Sequence, residues 1–248
     1  MADLTDAKAL TAAFSGCDII LHLADSPERH QSAQARPTSR AEAVCAAAGQ
    51  AGVTRVVYAS SIYARIAPDG TSAAYGAIKR ANEDVFARAD TLCPVLLRLP
   101  PVYGPGSKGG FSVLVGLVRR GWPVPFGSAL ALRDYIAVAN LADLVLTMVD
   151  APHERWQEHR GKRYEPCDGQ AISTADLVAH IKKVTGSGSV ILKVPVVALK
   201  LLGRMTGKGA AIDAVLEPLH VAPEPSVTID WDWRPPHQLP ETLRYIKG

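Results

Sequence analysis

Three short apolar runs, each separated from the next by a helical pattern, constrain the fold of this chain more than any other feature. Asp18 to Ala24 reads D-I-I-L-H-L-A and is flanked by Gly16 and by Ser26-Pro27. Val53 to Ala59 is the second run, and Val95 to Leu99 the third, stopped by Pro100-Pro101. Between them, Ala41 to Gln50 is alanine-rich and helical, closed by Gly52, and Ser72 to Ala89 is a second helix. Strands that are continuously apolar rather than alternating are buried on both faces, and intervening helices make such a sheet parallel. The expected class is α/β.

Beyond Gly104 the pattern changes. Gly, Pro and Ser become frequent, followed by a helix from Phe111 to Arg120, a turn-rich segment from Gly121 to Ser128 and a helix-forming stretch from Asn140 to Asp150. Ser173-Thr174-Ala175-Asp176 resembles a capping box with Asp in place of Glu, opening a helix from Leu177 to Val184. The second half reads as a smaller lid wrapped onto the first. A length of 248 residues suits one large α/β domain, or one with an appendage.

Composition excludes several classes of function. The 27 basic and 24 acidic residues leave a net charge of +3 with no basic run, which gives no support for nucleic acid binding. Cys17, Cys45, Cys93 and Cys167 are far apart and the histidines do not cluster, so no metal site is expected and the thiols read as free in a cytoplasmic protein. No apolar run approaches the roughly 20 residues of a membrane span. The longest greasy stretch, Val190 to Leu202, is broken by Lys193, Pro195 and Lys200 and reads as a core or cap helix.

The stretch that carries chemistry is Tyr75-Gly76-Ala77-Ile78-Lys79, which follows a strand ending in Ser60-Ser61. Residues four apart on a helix share a face. A lysine ammonium there favours the phenolate, drawing a tyrosine down from about 10 toward the working pH of a general acid/base. A serine hydroxyl at the strand end would hold a substrate oxygen beside the phenol. By itself Tyr-x-x-x-Lys is common, usually as a solvated helix face.

Its setting resembles the extended short-chain dehydrogenase/reductases, in the nucleotide-sugar epimerase/dehydratase branch typified by UDP-galactose 4-epimerase. Asp3-Leu4-Thr5-Asp6 is similar to the family's acidic turn against the adenine, and His22-Leu23-Ala24-Asp25 to the strand end along the cofactor. Ala59-Ser60-Ser61 matches the strand end with the catalytic serine, assigned here to Ser61 with Ser60 as its rival. Arg98-Leu99-Pro100-Pro101-Val102-Tyr103-Gly104-Pro105-Gly106 is similar to the loop R-x-x-x-V-Y-G-P-G that closes over the nicotinamide. Val124-Pro125-Phe126-Gly127 resembles the segment against a uracil ring, although core packing explains Phe126 equally well. Leu132-Arg133-Asp134-Tyr135-Ile136 and the following Val138 to Asp143 match R-D-Y-I-x-V-x-D-L-A-D, whose arginine grips a sugar-nucleotide pyrophosphate; a surface salt bridge is the bland alternative for Arg133. The end, Asp232-Trp233-Arg234-Pro235-Pro236 onward, resembles the closing G-W-x-P motif.

The resemblance implies a Rossmann-like doubly wound parallel sheet, N-terminally incomplete, with a smaller C-terminal substrate-binding lid. Residues 1–105 would form the partial dinucleotide-binding region and 106–248 mainly the lid, with segments returning to the core. Ser61, Tyr75 and Lys79 would be catalytic. Asp3, Leu4, Leu23, Ala24, Asp25, Ala59, Ser60, Tyr75, Lys79, Leu99, Pro100 and Val102 would bind NAD or NADP. Ser61, Val124, Phe126 and Arg133 would bind a UDP-sugar or sugar substrate. Relatives pair through the Tyr/Lys helix and the helix before it, which implies a homodimer.

Departures from the family matter as well. The asparagine usual before the second strand is replaced by Pro37, the Ser61 to Tyr75 loop is short, and Gly109-Gly110 stands where relatives place a substrate-binding asparagine. The chain starts where the family's third strand ends, without the G-x-x-G-x-x-G turn, so cofactor binding is expected to be impaired. The Asp18 to Ala24 strand should then form an open edge. Met1 reads either as an internal start, or as the start of a chain whose edge is covered by a partner or by the residues before Asp18. The activities implied are an NAD(P)-dependent nucleotide-sugar epimerase or 4-ketoreductase; alternatively a sugar or uronate dehydrogenase; alternatively a catalytically silent homologue acting through protein contacts.

Overall fold

The apolar runs fold as parallel strands and the patterns between them as helices. In the computed structural model, which describes residues 4, 6–24, 38–66, 71–107 and 109–247, the first half contains α1 (Ala7–Phe14), β1 (Ile19–His22), α2 (Ser39–Ala51), β2 (Arg55–Ser61), α3 (Thr71–Arg88) and β3 (Cys93–Leu99). There follow β4 (Val102–Tyr103), α4 (Gly110–Arg119), β5 (Leu132–Arg133), β6 (Ile136–Ala137), α5 (Val138–Asp150), α6 (His153–Glu158), β7 (Arg163–Tyr164) and β8 (Ile172–Ser173). The last elements are α7 (Thr174–Thr185), α8 (Val196–Met205), α9 (Gly209–Leu216), α10 (Val227–Trp231) and α11 (Leu239–Thr242). Asp3, Asp25, Pro37 and Lys108 lie outside the described residues.

The chain divides into two units. The first comprises Met1–Leu99, Val145–Pro166 and Ala222–Trp233; the second comprises Pro100–Leu144, Cys167–Val221 and Arg234–Gly248. The chain therefore first changes unit at Leu99–Pro100, directly after β3.

The first unit is built on one parallel sheet in the order β1-β2-β3-β7. Val56, Val57 and Tyr58 of β2 and Val95 and Leu96 of β3 are wholly buried, as a sheet covered on both faces requires. Helices cover it with small and aromatic side chains: Leu10 of α1, Ala41, Val44, Ala47 and Ala48 of α2, and Phe86 of α3 pack into one cluster with Ile20, Val56, Tyr58 and Leu96. The alanines of α2 are thus spent on the core of the chain itself. Gly52 ends α2 in the left-handed region, with φ 74°. The strand-end histidine His22 is buried and stacks on Tyr58 at 5.6 Å.

Among the described strands β1 forms the edge of the sheet, leaving Leu21 and Leu23 exposed. The residues before it form α1, capped by the Asp6 carboxylate, which accepts from the Lys8 and Ala9 amides at 3.1 Å. The described residues there add a helix against α2 and, among themselves, no strand to β1.

The second unit has a core of its own. Tyr103, Phe111, Leu114, Val118, Val124, Phe126, Leu177, Ile181, Leu199 and Leu216 form its centre, and two short ladders, β4 with β6 and β5 with β8, shape its loops. Ser173 caps α7 through its Oγ, which accepts from the Asp176 amide at 3.1 Å as the capping-box pattern implies, while the Asp176 carboxylate accepts from the Ser173 hydroxyl at 2.6 Å. The greasy stretch from Val190 to Leu202 is not one core helix. Val190 to Lys193 bridge to the 124–126 segment, and Pro195 precedes α8. That helix buries Leu199 and Gly203 and exposes Val197, Leu201 and Met205. Among the described residues no helix is long and apolar enough to cross a membrane.

Candidate active site

The carboxyl end of β2 and the N-terminal half of α3 bring the Ser/Tyr/Lys set of the sequence into one region of the first unit. Lys79 is buried, and its Nζ donates to the Ala59 carbonyl at 2.8 Å. That ammonium lies 5.7 Å from the centre of the Tyr75 ring and 5.0 Å from that of Tyr58. Tyr75 itself is half-buried. A fixed positive charge one helical turn from a phenol is the arrangement that supports proton transfer.

The helix can reach this position because residue 76 is glycine. A Cβ there would lie 2.1 Å from the backbone oxygen of Tyr63, in the 3-10 turn Ile62–Ala64 that follows Ser61. Arg80 fastens the same turn, donating from Nε to the Ala64 carbonyl at 2.6 Å and from Nη2 to that of Arg65 at 3.2 Å.

The two serines differ in what they touch. The Ser60 hydroxyl donates to Glu83 Oε1 at 2.5 Å, whereas Ser61 caps the 3-10 turn, its Oγ accepting from the Tyr63 amide at 3.3 Å. An acceptor role toward an amide leaves the Ser61 hydroxyl hydrogen available to another oxygen. Glu83 is wholly buried and also receives Arg98 through Nε at 2.9 Å and Nη2 at 2.7 Å, and Arg163 through Nε at 3.0 Å. A second carboxylate, Glu165, is gripped by both arms of Arg65 at 2.7 and 2.8 Å. Sequence reasoning missed Glu83, although its spacing of four from Lys79 and eight from Tyr75 is a readable signal.

Other expected positions lie at the ends of the parallel strands, where open α/β sheets bind ligands. Leu23 and Ala24 follow β1 and are exposed, and Leu99 ends β3 half-buried. Leu4 sits in a turn, packed on the core of the first unit.

In the second unit Val102 pairs with Ile136 between β4 and β6, one residue after Pro101 and two after the buried Pro100. Next to it the buried Tyr103 hydroxyl donates to Asp168 at 2.7 Å. Asp168 also accepts from the Ala137 amide at 3.0 Å and the Asn140 side chain at 2.7 Å. Burial, reinforced by the Asp168 charge and only partly opposed by a bond to Thr242, pushes the Tyr103 phenol well above its usual range. Tyr103 is therefore a neutral structural group and no competitor for proton transfer.

Arg133 is buried. Its Nη1 donates to the Glu217 carbonyl, while its Nε is buried without a hydrogen-bond partner. Val124 and Phe126 are core side chains, their segment tied to the 190–193 segment by Val124 to Val190 and Gly127 to Leu192 amide bonds of 2.8 and 2.9 Å. No group of three or more potential metal ligands occurs among the described residues. Burial, with Glu42 nearby, pushes the Cys45 thiol up to about 12, so it is inert.

A family model described as the NAD dependent epimerase/dehydratase family matches residues 1–161. The UDP-glucose 4-epimerase of Vibrio cholerae is 32% identical over 175 residues, covering 68% of this chain and 51% of that protein. The chain thus spans about half the length of this curated relative. A UDP-glucose 4-epimerase from Thermotoga maritima, solved with UDP-glucose, superposes with a TM-score of 0.71 at 18% identity, over 99% of this chain and 82% of that one. The Bordetella bronchiseptica enzyme WbmG, in complex with NAD and UDP, gives a TM-score of 0.71 at 18% identity, over 98% and 76%. At such identities these two structures establish the Rossmann-like α/β fold alone.

Proposed function

The chain belongs to the NAD dependent epimerase/dehydratase family, and from that premise we propose that it is a nucleotide-sugar epimerase or 4-ketoreductase with Tyr75 as its acid/base. The observation that carries this reading is the placement of Lys79, anchored on the Ala59 carbonyl with its ammonium 5.7 Å from the Tyr75 ring. Tyr75 as phenolate takes the proton from a sugar hydroxyl and returns it in the reverse step. Ser61 donates to the same sugar oxygen, holding it beside the phenol. Lys79 stabilises the phenolate and, as the family resemblance implies, holds the nicotinamide ribose.

NAD or NADP, when bound, supplies the acceptor and donor of hydride. The chain's residues fit its nicotinamide half, since Lys79 is a buried lysine anchored at the carboxyl end of β2 and Leu23, Ala24, Ala59, Ser60 and Leu99 stand at the same end of the parallel strands. By the family resemblance we assign Pro100 and Val102 to the loop over the nicotinamide, Asp3 and Leu4 to the adenine, and Asp25 to the strand end along the cofactor. Arg133 is proposed to take a pyrophosphate oxygen: a buried guanidinium with an unpartnered Nε suits an anionic oxygen better than a neutral one. Val124 and Phe126 are assigned to a uracil contact by the family resemblance alone, since both side chains lie in the core and the Val124 amide and carbonyl are bonded to Val190 and Leu192. A homodimer through α3 and the helix before it is proposed by analogy with relatives.

The short Ser61 to Tyr75 stretch favours a second reading, a sugar or uronate dehydrogenase, with the same catalytic residues. Calorimetric titration distinguishes the possibilities. Binding of NAD(H) or NADP(H), with UDP binding weakened about tenfold or more by Arg133→Ala, is expected. UDP affinity untouched by that variant would favour the uronate branch. Failure to bind either dinucleotide at millimolar concentration would remove both enzyme readings and leave a protein acting through contacts.

A further inference from the structure

Glu83 lies one turn beyond Lys79 and two beyond Tyr75 on the same face of α3, wholly buried. A carboxylate out of water persists only when donors surround it. Here the donors come from three adjacent strands: Ser60 of β2, Arg98 of β3 and Arg163 of β7. Two of these are guanidinium groups that alone would satisfy the charge. The Ser60 bond adds little to neutralisation, yet it fixes a particular residue of the strand end.

Its location gives that bond its importance. Ala59 and Ser60 are successive residues of β2, and both are tied to α3: the Ala59 carbonyl to Lys79 at 2.8 Å, the Ser60 hydroxyl to Glu83 at 2.5 Å. Side chains alternate along a strand, so holding Ser60 on the α3 side turns Ser61 to the other side. The position of the Lys79 ammonium is set by a carbonyl whose neighbour Glu83 holds. We propose that Glu83 is a positioning residue: by binding Ser60 it fixes the β2 end that anchors Lys79 beside Tyr75 and directs Ser61. This deepens the reading of Tyr75 and Lys79 as the acid/base pair and rests on it.

Ser60→Ala tests this without altering charge, because Arg98 and Arg163 keep their carboxylate; Glu83→Gln is its companion. In the cofactor-free protein, tyrosinate absorbance with the Tyr75→Phe signal subtracted follows the ionisation of Tyr75 alone. Both variants are expected to move its midpoint upward by about one pH unit as Lys79 loses its anchor, and Ser60→Thr, which keeps the hydroxyl, to restore it. In the NAD-loaded enzyme, kcat for a UDP-sugar should fall about tenfold at neutral pH, recover as the pH rises, and leave KM unchanged.

A downward shift in Glu83→Gln would mean that the residue acts through its charge alone. An unmoved midpoint in Ser60→Ala, with only the melting temperature lowered, would mean a structural role; either result overturns the proposal. Should Glu83→Gln fail to fold, Ser60→Ala decides by itself. Absence of turnover in the wild type would sink the proposed function, while the cofactor-free titration would still decide whether Glu83 positions the pair.

Discussion

Gly76 has no room for a side chain, and this one position joins fold to chemistry. Its Cβ would sit 2.1 Å from the Tyr63 carbonyl oxygen, a backbone atom with little freedom to retreat. Gly76→Ala must therefore push the start of α3 away from the turn after Ser61. Overpacking of this kind costs about 1–3 kcal/mol, which for a chain of this size lowers the melting temperature by roughly 2–10 °C. Turnover should fall further than that stability loss accounts for, because Tyr75 moves relative to Ser61. Circular dichroism melts beside steady-state rates check this, and a variant as stable and as active as wild type would contradict it. The sequence offered Tyr75-Gly76 as a motif, but the need for glycine comes from Tyr63, thirteen residues upstream. Something similar holds for Ser61 and its rival Ser60: the sequence favours Ser61 by resemblance, but the physical difference between them appears only when Glu83, twenty-three residues after Ser60, takes up the Ser60 hydroxyl.

Elements whose identity depends on their own residues were legible, and those that depend on distant partners were not. The β2 and β3 strands were readable because the unbroken apolar runs Val56 to Ala59 and Val95 to Leu97 leave few alternatives, and the ends of α2 and α7 because Gly52 and Ser173 are local stop and start signals. Ser173→Ala removes both bonds of the α7 cap and should cost about 1 kcal/mol in urea unfolding, with little change in the denaturant slope; an unchanged midpoint would show the cap to be inert. By contrast β4 to β8 are two residues each, too short to show a period. The helix α1 carries no pattern that stands out in eight residues, and its position is fixed by packing of Leu10 and Thr11 on α2. The apolar face of α8 reads as core in sequence because hydropathy reports composition and not which side faces protein. Asp3 and Asp25, expected at the cofactor, lie outside the described residues.

At the scale of the molecule, each unit has its own polar anchor: Asp168 in the second, and Asp230 in the first. Asp230 receives the Tyr164 hydroxyl at 2.7 Å and Lys162 at 3.1 Å, beside the buried pair Trp156 and Trp231. Lys162 also lies 3.0 Å from His159 Nδ1. Burial first, then Lys162, holds the His159 imidazole below its usual range despite the opposing Asp230 charge. Below about pH 6.5 the unfolded chain takes up a proton that the folded chain declines. This contribution is therefore complete above that pH and is lost as the pH falls toward the folded value. Tryptophan-monitored unfolding should show stability declining from pH 7 to 5.5, with a shallower decline in His159→Gln; equal slopes would refute the assignment. The central claim concerns Tyr75, and it is tested most directly by NADH fluorescence after UDP-glucose is mixed with the NAD-loaded chain. The expected result is a transient NADH signal in the wild type and none in Tyr75→Phe, which still binds NAD. An undiminished signal in Tyr75→Phe would contradict the assignment of Tyr75 as the acid/base.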